Sequence, residues 1–257
     1  MEISQKNFFV KNGYFKIKLN KKKFIYIDKK IKDIVKKKLN INNINLEKFH
    51  TKIELEKLNN LRLFIFKKIN EDKKFKENLY HSAKMNIDEM VGNELCCSDI
   101  NLSIQFPKDK SSLLEMHSDF FSGESLFQIN LWVPFVNVKR TQSMFIIDPI
   151  NSLKILKKIK NDPKIDFNKI HKNYKNKLKW ISVKKGEAIL FSPNCLHGNV
   201  VNQEKKTRWS INIRYKNIFS PEIKVKNEKK IGSYYNLLNP KAVTLFNLNY
   251  DFDEITK

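Results

Sequence analysis

The chain has 257 residues, of which 41% are hydrophobic and 12% aromatic, and this apolar content excludes an intrinsically disordered protein. No apolar run approaches the roughly 20 residues that a membrane-spanning helix needs, so we expect a soluble, cytoplasmic protein. The three cysteines form no CxxC pair, which excludes a cysteine-rich zinc module and a disulfide scaffold.

The formal net charge of +23 comes almost entirely from lysine. Only four residues are arginine: Arg62, Arg140, Arg208 and Arg214. The lysines are spread along the chain, which predicts solvated lysine surfaces rather than a stripe that binds nucleic acid; attraction of an anionic substrate is the alternative. Residues 91–150 carry a net charge of −3 between flanks of +12 and +14. A cation site is therefore easiest to place in this middle stretch.

Residues 1–90 have a mainly helical pattern. The segment FFVKNGYFKI predicts a short strand entered through Gly13. From Ile27 to Leu39, apolar residues recur at helical spacing among lysines, which predicts an amphipathic helix docked on a core rather than on a membrane surface. Two further helices are predicted, from Ile53 to Ile69 and from Lys73 to Met90.

From about residue 100 the hydrophobic period changes to two, which is typical of strands. The predicted strands cover residues 101–106, 112–120, 125–135, 143–148, 180–183, 187–191, 196–201 and 208–215. Several short strands at this spacing favour a mainly β fold, an antiparallel sandwich or barrel, with helical additions.

The chain shows no repeat and no linker that would separate two domains. We therefore expect a single domain over residues 1–257. It would comprise helical support over 1–95, a β core over 96–217 with a helical insert at about 151–178, and a C-terminal extension over 218–257 to which the pattern assigns no structure.

His117 and Asp119 stand two residues apart in MHSDF, within a predicted strand. Residues i and i+2 of a strand point to the same face, so these side chains would offer one divalent metal two ligands. His197, which follows a second predicted strand, is the best third ligand. Two histidines and one carboxylate leave metal positions open, an arrangement suited to non-haem Fe(II) chemistry. The alternative is that each is an ordinary core or surface histidine.

The strand predicted over residues 208–215 alternates between polar and apolar residues. Its polar face holds Arg208, Ser210, Asn212 and Arg214. In an ordinary half-buried strand this face would meet water. However, the chain places half of its few arginines here, and a guanidinium grips a carboxylate through two parallel hydrogen bonds. We therefore expect Arg208 to bind a carboxylate, with Ser210 as a further donor.

Taken in order, His117-x-Asp119, His197, ten intervening residues and Arg208-x-Ser210 resemble the pattern of the Fe(II)/2-oxoglutarate-dependent oxygenases. GYFKI, Trp132 and GEAILF are similar to the phytanoyl-CoA dioxygenase-like branch. The stretches NLSIQFP, MHSDFFSGE, INLWVPFVNVKRTQSMFI and FSPNCLHGN to RWSINIRYK resemble oxygenases encoded in bacterial surface-carbohydrate and aminoglycoside gene clusters. The resemblance covers roughly residues 100–217 well and the helical N-terminus loosely.

The resemblance implies a double-stranded β-helix, a cupin-like jelly roll packed against N-terminal helices. It implies that His117, Asp119 and His197 hold Fe(II), and that Arg208 and Ser210 bind the distal carboxylate of 2-oxoglutarate. Dioxygen would be consumed and 2-oxoglutarate decarboxylated to succinate. Further residues are expected near the co-substrate (Trp132 and Gln105) or the substrate (Gln128, Asn130 and Arg214), with ordinary core or edge positions as the alternative.

The resemblance further implies a small-molecule substrate, a sugar, nucleotide sugar or related precursor of a surface glycan or secondary metabolite. Arg214 would suit an acidic or phosphorylated sugar, although a structural ion pair is equally expected. Two alternatives stay open. The same chemistry could act on nucleic acid or protein, or the chain could be a non-catalytic cupin-like module that binds metal or sugar. The pattern does not predict an oligomeric state.

Overall fold

A computed structural model describes residues 3–161, 173–221 and 229–248. The α-helices of these residues are α1 (Ile3–Asn12), α2 (Lys21–Leu39), α3 (Leu55–Glu71), α4 (Lys73–Val91), α5 (Pro149–Asn161) and α6 (Ala242–Leu248). The strands are β1 (Tyr14–Lys18), β2 (Leu95–Cys97), β3 (Asn101–Gln105), β4 (Gln128–Pro134), β5 (Phe145–Ile146), β6 (Lys179–Trp180), β7 (Glu187–Phe191), β8 (His197–Gly198), β9 (Arg208–Asn217) and β10 (Asn236–Leu237). Short 3₁₀ helices include Leu46–Thr51 and Asp119–Ser122.

The strands form two antiparallel sheets, and β9 organises the larger one. The order runs β1-β7-β4-β9, and β9 is long enough to pair with β3 along its first half and with β2 along its second. β10 then pairs with the outer edge of β2. The smaller sheet has the order β6-β5-β8. The antiparallel sheets and the helices confirm the coarser prediction, antiparallel β structure combined with helices, but the described residues form a mixed fold in which helices hold more residues than strands.

The N-terminal helices cover one side of the larger sheet. Asn20 caps the start of α2 by accepting a hydrogen bond from the backbone of Lys23, and Asn40 ends the helix in a left-handed conformation. Between these caps, Ile27, Ile31 and Val35 are fully buried. α2 packs on α3 and α4, and α4 contacts β4 and β9. Burial of these apolar faces, rather than helix propensity alone, therefore fixes the helices on the sheet.

The two faces of β9 differ, because one is apolar and lies in the core while the other is polar. The apolar residues Trp209, Ile211, Ile213 and Tyr215 are almost completely buried, and the ring of Trp209 packs edge-on against Phe49 at 4.9 Å. Because successive strand residues point to opposite faces, this core contact turns the alternate residues, from Arg208 to Arg214, away from the helices.

The three predicted helices of residues 27–90 are confirmed, and a strand overlaps each predicted β segment except 112–120. The strand predicted there is wrong, because His117 forms only an isolated bridge with His197 and Asp119 begins a 3₁₀ helix. In FFVKNGYFKI the residues before Gly13 are helical and the strand follows it. Part of the predicted insert, residues 162–172, lies outside the described residues.

None of the helices in the described ranges is long and apolar enough to cross a bilayer.

Replacing a buried residue of α2 tests the packing of the helices on the sheet. We expect Ile31→Ala to lower the free energy of unfolding by about 2–5 kcal/mol, because it leaves a cavity in the core. Ile25→Ala is the matched control, since Ile25 lies in the same helix and is 54% exposed. Urea unfolding followed by circular dichroism measures both. Equal losses in the two variants would contradict the described packing.

Candidate functional site

The segment 114–119 is joined to the segment 193–199 by backbone hydrogen bonds. His117 and His197 each donate a backbone N–H to the other's carbonyl at 2.9 Å, and the N–H of Asp119 donates to Pro193. Gly198 permits this contact, because a Cβ atom there would lie 2.8 Å from the carbonyl oxygen of Leu114. The close pairing brings the HxD segment against β8 even though the segment itself is not a regular strand.

This pairing gathers the three predicted metal ligands. One ligand atom from each of His117, Asp119 and His197 lies within 4.8 Å of the others. The Nε2 atoms of His117 and His197 are 3.3 and 3.7 Å from Oδ1 of Asp119. Atoms that share one metal at about 2.1 Å are no more than about 4.2 Å apart, so the two distances from the imidazoles to Asp119 suit a common ion.

The second nitrogen of each imidazole is already engaged. Nδ1–H of His117 donates to the carbonyl of Glu115 at 2.8 Å, and Nδ1–H of His197 donates to the carbonyl of Cys195 at 2.9 Å. A carbonyl can only accept, so the proton of each neutral ring is on Nδ1 and the lone pair is on Nε2. Both lone pairs therefore lie on the side of Asp119.

The carboxylate of Asp119 is buried, and its two oxygens have different neighbours. Its Oδ2 accepts hydrogen bonds from the side-chain amide of Asn130 at 2.6 Å and from the guanidinium of Arg214 at 3.2 Å. Its Oδ1 faces the two imidazoles. β4 and β9 thus supply the groups that orient the carboxylate, and one oxygen is left for a cation.

Burial and charge set the protonation of this cluster. Burial alone would raise the pKa of Asp119, but the hydrogen bond that Nε2–H donates when His117 is protonated, together with the charges of His197 and Arg214, holds it well below its usual range. Burial lowers the pKa of His197 to about 4. For His117, burial opposes protonation, yet the hydrogen bonds to Asp119 and Glu115 raise its pKa. The cluster therefore offers an ionised carboxylate and a neutral imidazole at neutral pH.

Arg208 is a buried cation without a carboxylate partner among the described residues. It is 3% exposed, its guanidinium donates to the hydroxyl of Ser103 at 2.9 Å, and its Nε donates to nothing described. The buried hydroxyl of Ser210 likewise has no described partner. Burial lowers the pKa of Arg208 to about 10, so the group is charged at neutral pH. An uncompensated buried charge is costly, and these two groups fit an anion.

A cavity of about 620 Å³ joins the histidine–aspartate cluster to Arg208. Among the predicted site residues, its wall contains His117, Asp119, Trp132, His197, Arg208, Ser210 and Arg214. Its volume lies within the range of about 300–1,000 Å³ that is typical of small-molecule sites. The polar face of β9 therefore meets this cavity rather than bulk water.

The remaining predicted residues lie behind the wall. Asn130 is fully buried against Asp119, and Gln128 donates to the side-chain oxygen of Asn130 at 3.3 Å. Gln105 pairs across the sheet with Arg208 and donates to the carbonyl of Val200 at 2.8 Å. The cavity wall, as described, includes none of these three amides. Arg214 lines the cavity and also makes the structural ion pair that was the alternative to a substrate contact.

Sequence reasoning missed a second acidic group, Glu124. It is 2% exposed, and its Oε1 accepts from Lys229 at 2.6 Å and Tyr234 at 2.7 Å, with Arg214 Nε at 3.2 Å. The hydroxyl of Tyr235 lies 3.0 Å from Glu124 Oε2 and 2.5 Å from Gln128 Oε1. The residues from 229 to 235 belong to the tail that has no hydrophobic period, so no sequence signal pointed to them.

No protein-family model matches the chain, and no curated protein matches it either. Several solved structures, however, do match the chain. A non-heme monooxygenase, the ThoJ–nickel complex, has 14% identity over 96% of this chain and 94% of that chain, with a TM-score of 0.56. HygX from Streptomyces hygroscopicus, with nickel and 2-oxoglutarate bound, has 10% identity over 90% and 92%, with a TM-score of 0.52.

AviO1 from Streptomyces viridochromogenes Tue57 has 11% identity over 83% of this chain and 93% of that chain, with a TM-score of 0.51. At identities of this size the likeness shows the fold alone. The chain therefore has the fold of these proteins, among them a non-heme monooxygenase, and its chemistry must be argued from its own residues.

The isolation of Arg208 predicts a stability effect that does not depend on any bound molecule. We expect Arg208→Met to raise the free energy of unfolding by about 1–3 kcal/mol, because it removes an uncompensated buried charge. Arg140→Met, at an exposed arginine, should stay within about 0.5 kcal/mol of the wild type. Urea unfolding measures both values. Destabilisation by Arg208→Met would indicate that the charge has a structural partner.

Proposed function

We propose that the chain is a non-haem Fe(II)/2-oxoglutarate-dependent oxygenase. We further propose that its two sheets are the halves of a double-stranded β-helix within a single domain over residues 1–257. One observation carries the proposal: a three-ligand cluster and a buried guanidinium without a described carboxylate partner line the same cavity. A metal site alone would not need the guanidinium, and an anion site alone would not need the histidines.

In this proposal His117, Asp119 and His197 hold the ferrous ion, since two imidazoles and a carboxylate form the ligand set of non-haem Fe(II) oxygenases. Arg208 and Ser210 bind the distal carboxylate of 2-oxoglutarate, and Trp132 lines the space between. A neighbouring fold supports the pairing, because HygX has been crystallised with iron and with nickel and 2-oxoglutarate. The unpartnered atoms of Arg208 and Ser210 are the donors that such a carboxylate needs.

When bound, the metal and its co-substrate would supply the oxidising chemistry, in which O2 is consumed and 2-oxoglutarate is decarboxylated to succinate with release of CO2. The protein's residues do the positioning. Asn130 and Arg214 hold one oxygen of Asp119 and leave the other for the ion. Arg208 fixes the orientation of 2-oxoglutarate through its planar guanidinium. Trp132 and Phe191, both almost completely buried, limit the access of water to the site.

We propose that the substrate is a small molecule, a sugar, nucleotide sugar or related precursor of a surface glycan or secondary metabolite. The sequence resemblance to carbohydrate-cluster oxygenases of the phytanoyl-CoA dioxygenase-like branch supports this class. A partly enclosed cavity of about 620 Å³ suits such a molecule better than a protein or nucleic-acid strand. The guanidinium of Arg208 disfavours a non-catalytic module that binds only a metal or a neutral sugar.

Replacing one histidine or the aspartate by alanine tests the proposed metal ligands. We expect His117→Ala and Asp119→Ala to abolish succinate formation from 2-oxoglutarate in the presence of Fe(II) and O2, because two ligands cannot hold the ion in place. His81→Ala, at an exposed histidine, is the matched control and should retain turnover. Succinate is measured by chromatography, and thermal unfolding checks each fold. Turnover that persists in the variant of either ligand would refute the ligand assignment.

A conservative substitution tests the co-substrate site. We expect Arg208→Lys to raise the 2-oxoglutarate concentration for half-maximal turnover by about 10–100-fold, because a point charge cannot reproduce two parallel hydrogen bonds. Arg140→Lys is the control for the same exchange at an exposed arginine. The measurement is initial rate against 2-oxoglutarate concentration. If the 2-oxoglutarate concentration for half-maximal turnover did not change, another cation would have to bind the distal carboxylate of 2-oxoglutarate.

A further inference from the structure

The cavity wall carries two cations that the proposed metal and co-substrate sites do not use. Arg62 projects from α3, and Lys229 precedes β10. Arg62 is half-buried, and its guanidinium donates to the side-chain oxygen of Asn59 at 2.6 Å. No ion pair involves Arg62 within the described ranges. In a chain that uses lysine for nearly all of its positive charge, an unpaired arginine at a cavity wall is a specific feature.

Lys229 has donor capacity left after its contact with Glu124. An ammonium group carries three hydrogens, and one donates to Glu124 Oε1 at 2.6 Å. The ammonium also lies 4.3 Å from the centre of the Tyr234 ring, and 26% of the Lys229 side chain is exposed. Lys229 is therefore held at the wall by two contacts while it can still donate to a ligand in the cavity.

The charges of the wall do not cancel. Its cations are Arg62, Arg208, Arg214 and Lys229, and its carboxylates are Asp119 and Glu124. The four cations exceed the two carboxylates by two positive charges. Because a divalent ion and the 2-oxoglutarate dianion would neutralise each other, this excess does not change when both are bound. In a partly enclosed cavity such an excess is poorly screened and favours a negatively charged ligand.

We propose that the substrate carries an anionic group, a phosphate or a carboxylate, which Arg62 and Lys229 bind. This inference rests on the proposed function, because it takes the ligand of this wall to be the substrate of the oxygenase. It assigns substrate recognition to α3 and to the segment before β10, rather than to the amides of Gln128 and Asn130. Asn101 and Ser122 lie on the same wall and can contact the uncharged part of a sugar-like molecule.

The test compares three sugars of similar size: glucose 6-phosphate, glucuronate and glucose. Each is titrated into protein loaded with Zn(II) and 2-oxoglutarate, and binding is followed by ligand-observed NMR. We expect at least one charged sugar to bind about tenfold more tightly than glucose, and its identity tells phosphate from carboxylate. Added salt should weaken the binding of that sugar and not of glucose.

Arg62→Gln and Lys229→Gln should each lower the affinity for the charged sugar by about tenfold, whereas Arg140→Gln should not change it. Equal affinities for the three sugars, no binding of either charged sugar, or an unchanged affinity in both cavity variants would overturn the proposal. The salt series on the wild-type protein decides the matter even if a variant fails to fold.

Calorimetry of Zn(II) and 2-oxoglutarate binding separates this inference from the proposed function. Failure of 2-oxoglutarate to bind would refute the co-substrate site, while the sugar titrations would still measure the charge preference of the wall. Normal binding of 2-oxoglutarate with no preference for charged sugars would refute the anion site and leave the proposed function standing.

Discussion

The carboxylate of Asp119 is the group on which the arrangement of the site depends. It is buried and ionised, and a buried charge must be compensated by neighbours. Asn130 on β4 and Arg214 on β9 hold one oxygen, and the imidazoles of His117 and His197 lie at the other. Four parts of the chain must therefore meet at this point: β4, β9 and the paired segments 114–119 and 193–199.

β9 contributes both to the stability of the fold and to the candidate site, because its two faces have different roles. The face that begins with Trp209 completes the core under the helices, and the face that begins with Arg208 forms the cavity wall. The core contacts keep the strand in register, so they also fix the positions of Arg208 and Arg214. The guanidinium of Arg208 is buried without a carboxylate partner among the described residues, and we expect it to lower the stability of the fold. Such a loss is typical of a position selected for binding. Glu124 and the segment 229–235 extend the same charge pattern around Arg214.

The sequence predicted the elements whose signal is local and periodic. α2 was predicted from the helical spacing of Ile27, Ile31 and Val35. β9 was predicted from the alternation of its polar and apolar residues. It also predicted which residues the fold would gather, although MHSDF is not a strand as expected. Its pairing depends on contacts with residues 193–199, which are distant in sequence. The amides of Gln128 and Asn130 were placed at the substrate because their alternation indicated a face without indicating their partner, Asp119. Arg62, Glu124 and Lys229 carry no periodic signal, and only the tertiary fold brings them to the cavity.

The central claim is that one metal ion is held by three side chains, with a guanidinium placed for the carboxylate of a co-substrate. A crystal structure of the protein grown with Ni(II) and 2-oxoglutarate tests it most directly. The account predicts Ni(II) at about 2.1 Å from Nε2 of His117, Nε2 of His197 and Oδ1 of Asp119, and a 2-oxoglutarate carboxylate on Arg208. Electron density for the metal away from these three side chains, or for the co-substrate away from Arg208, would contradict it.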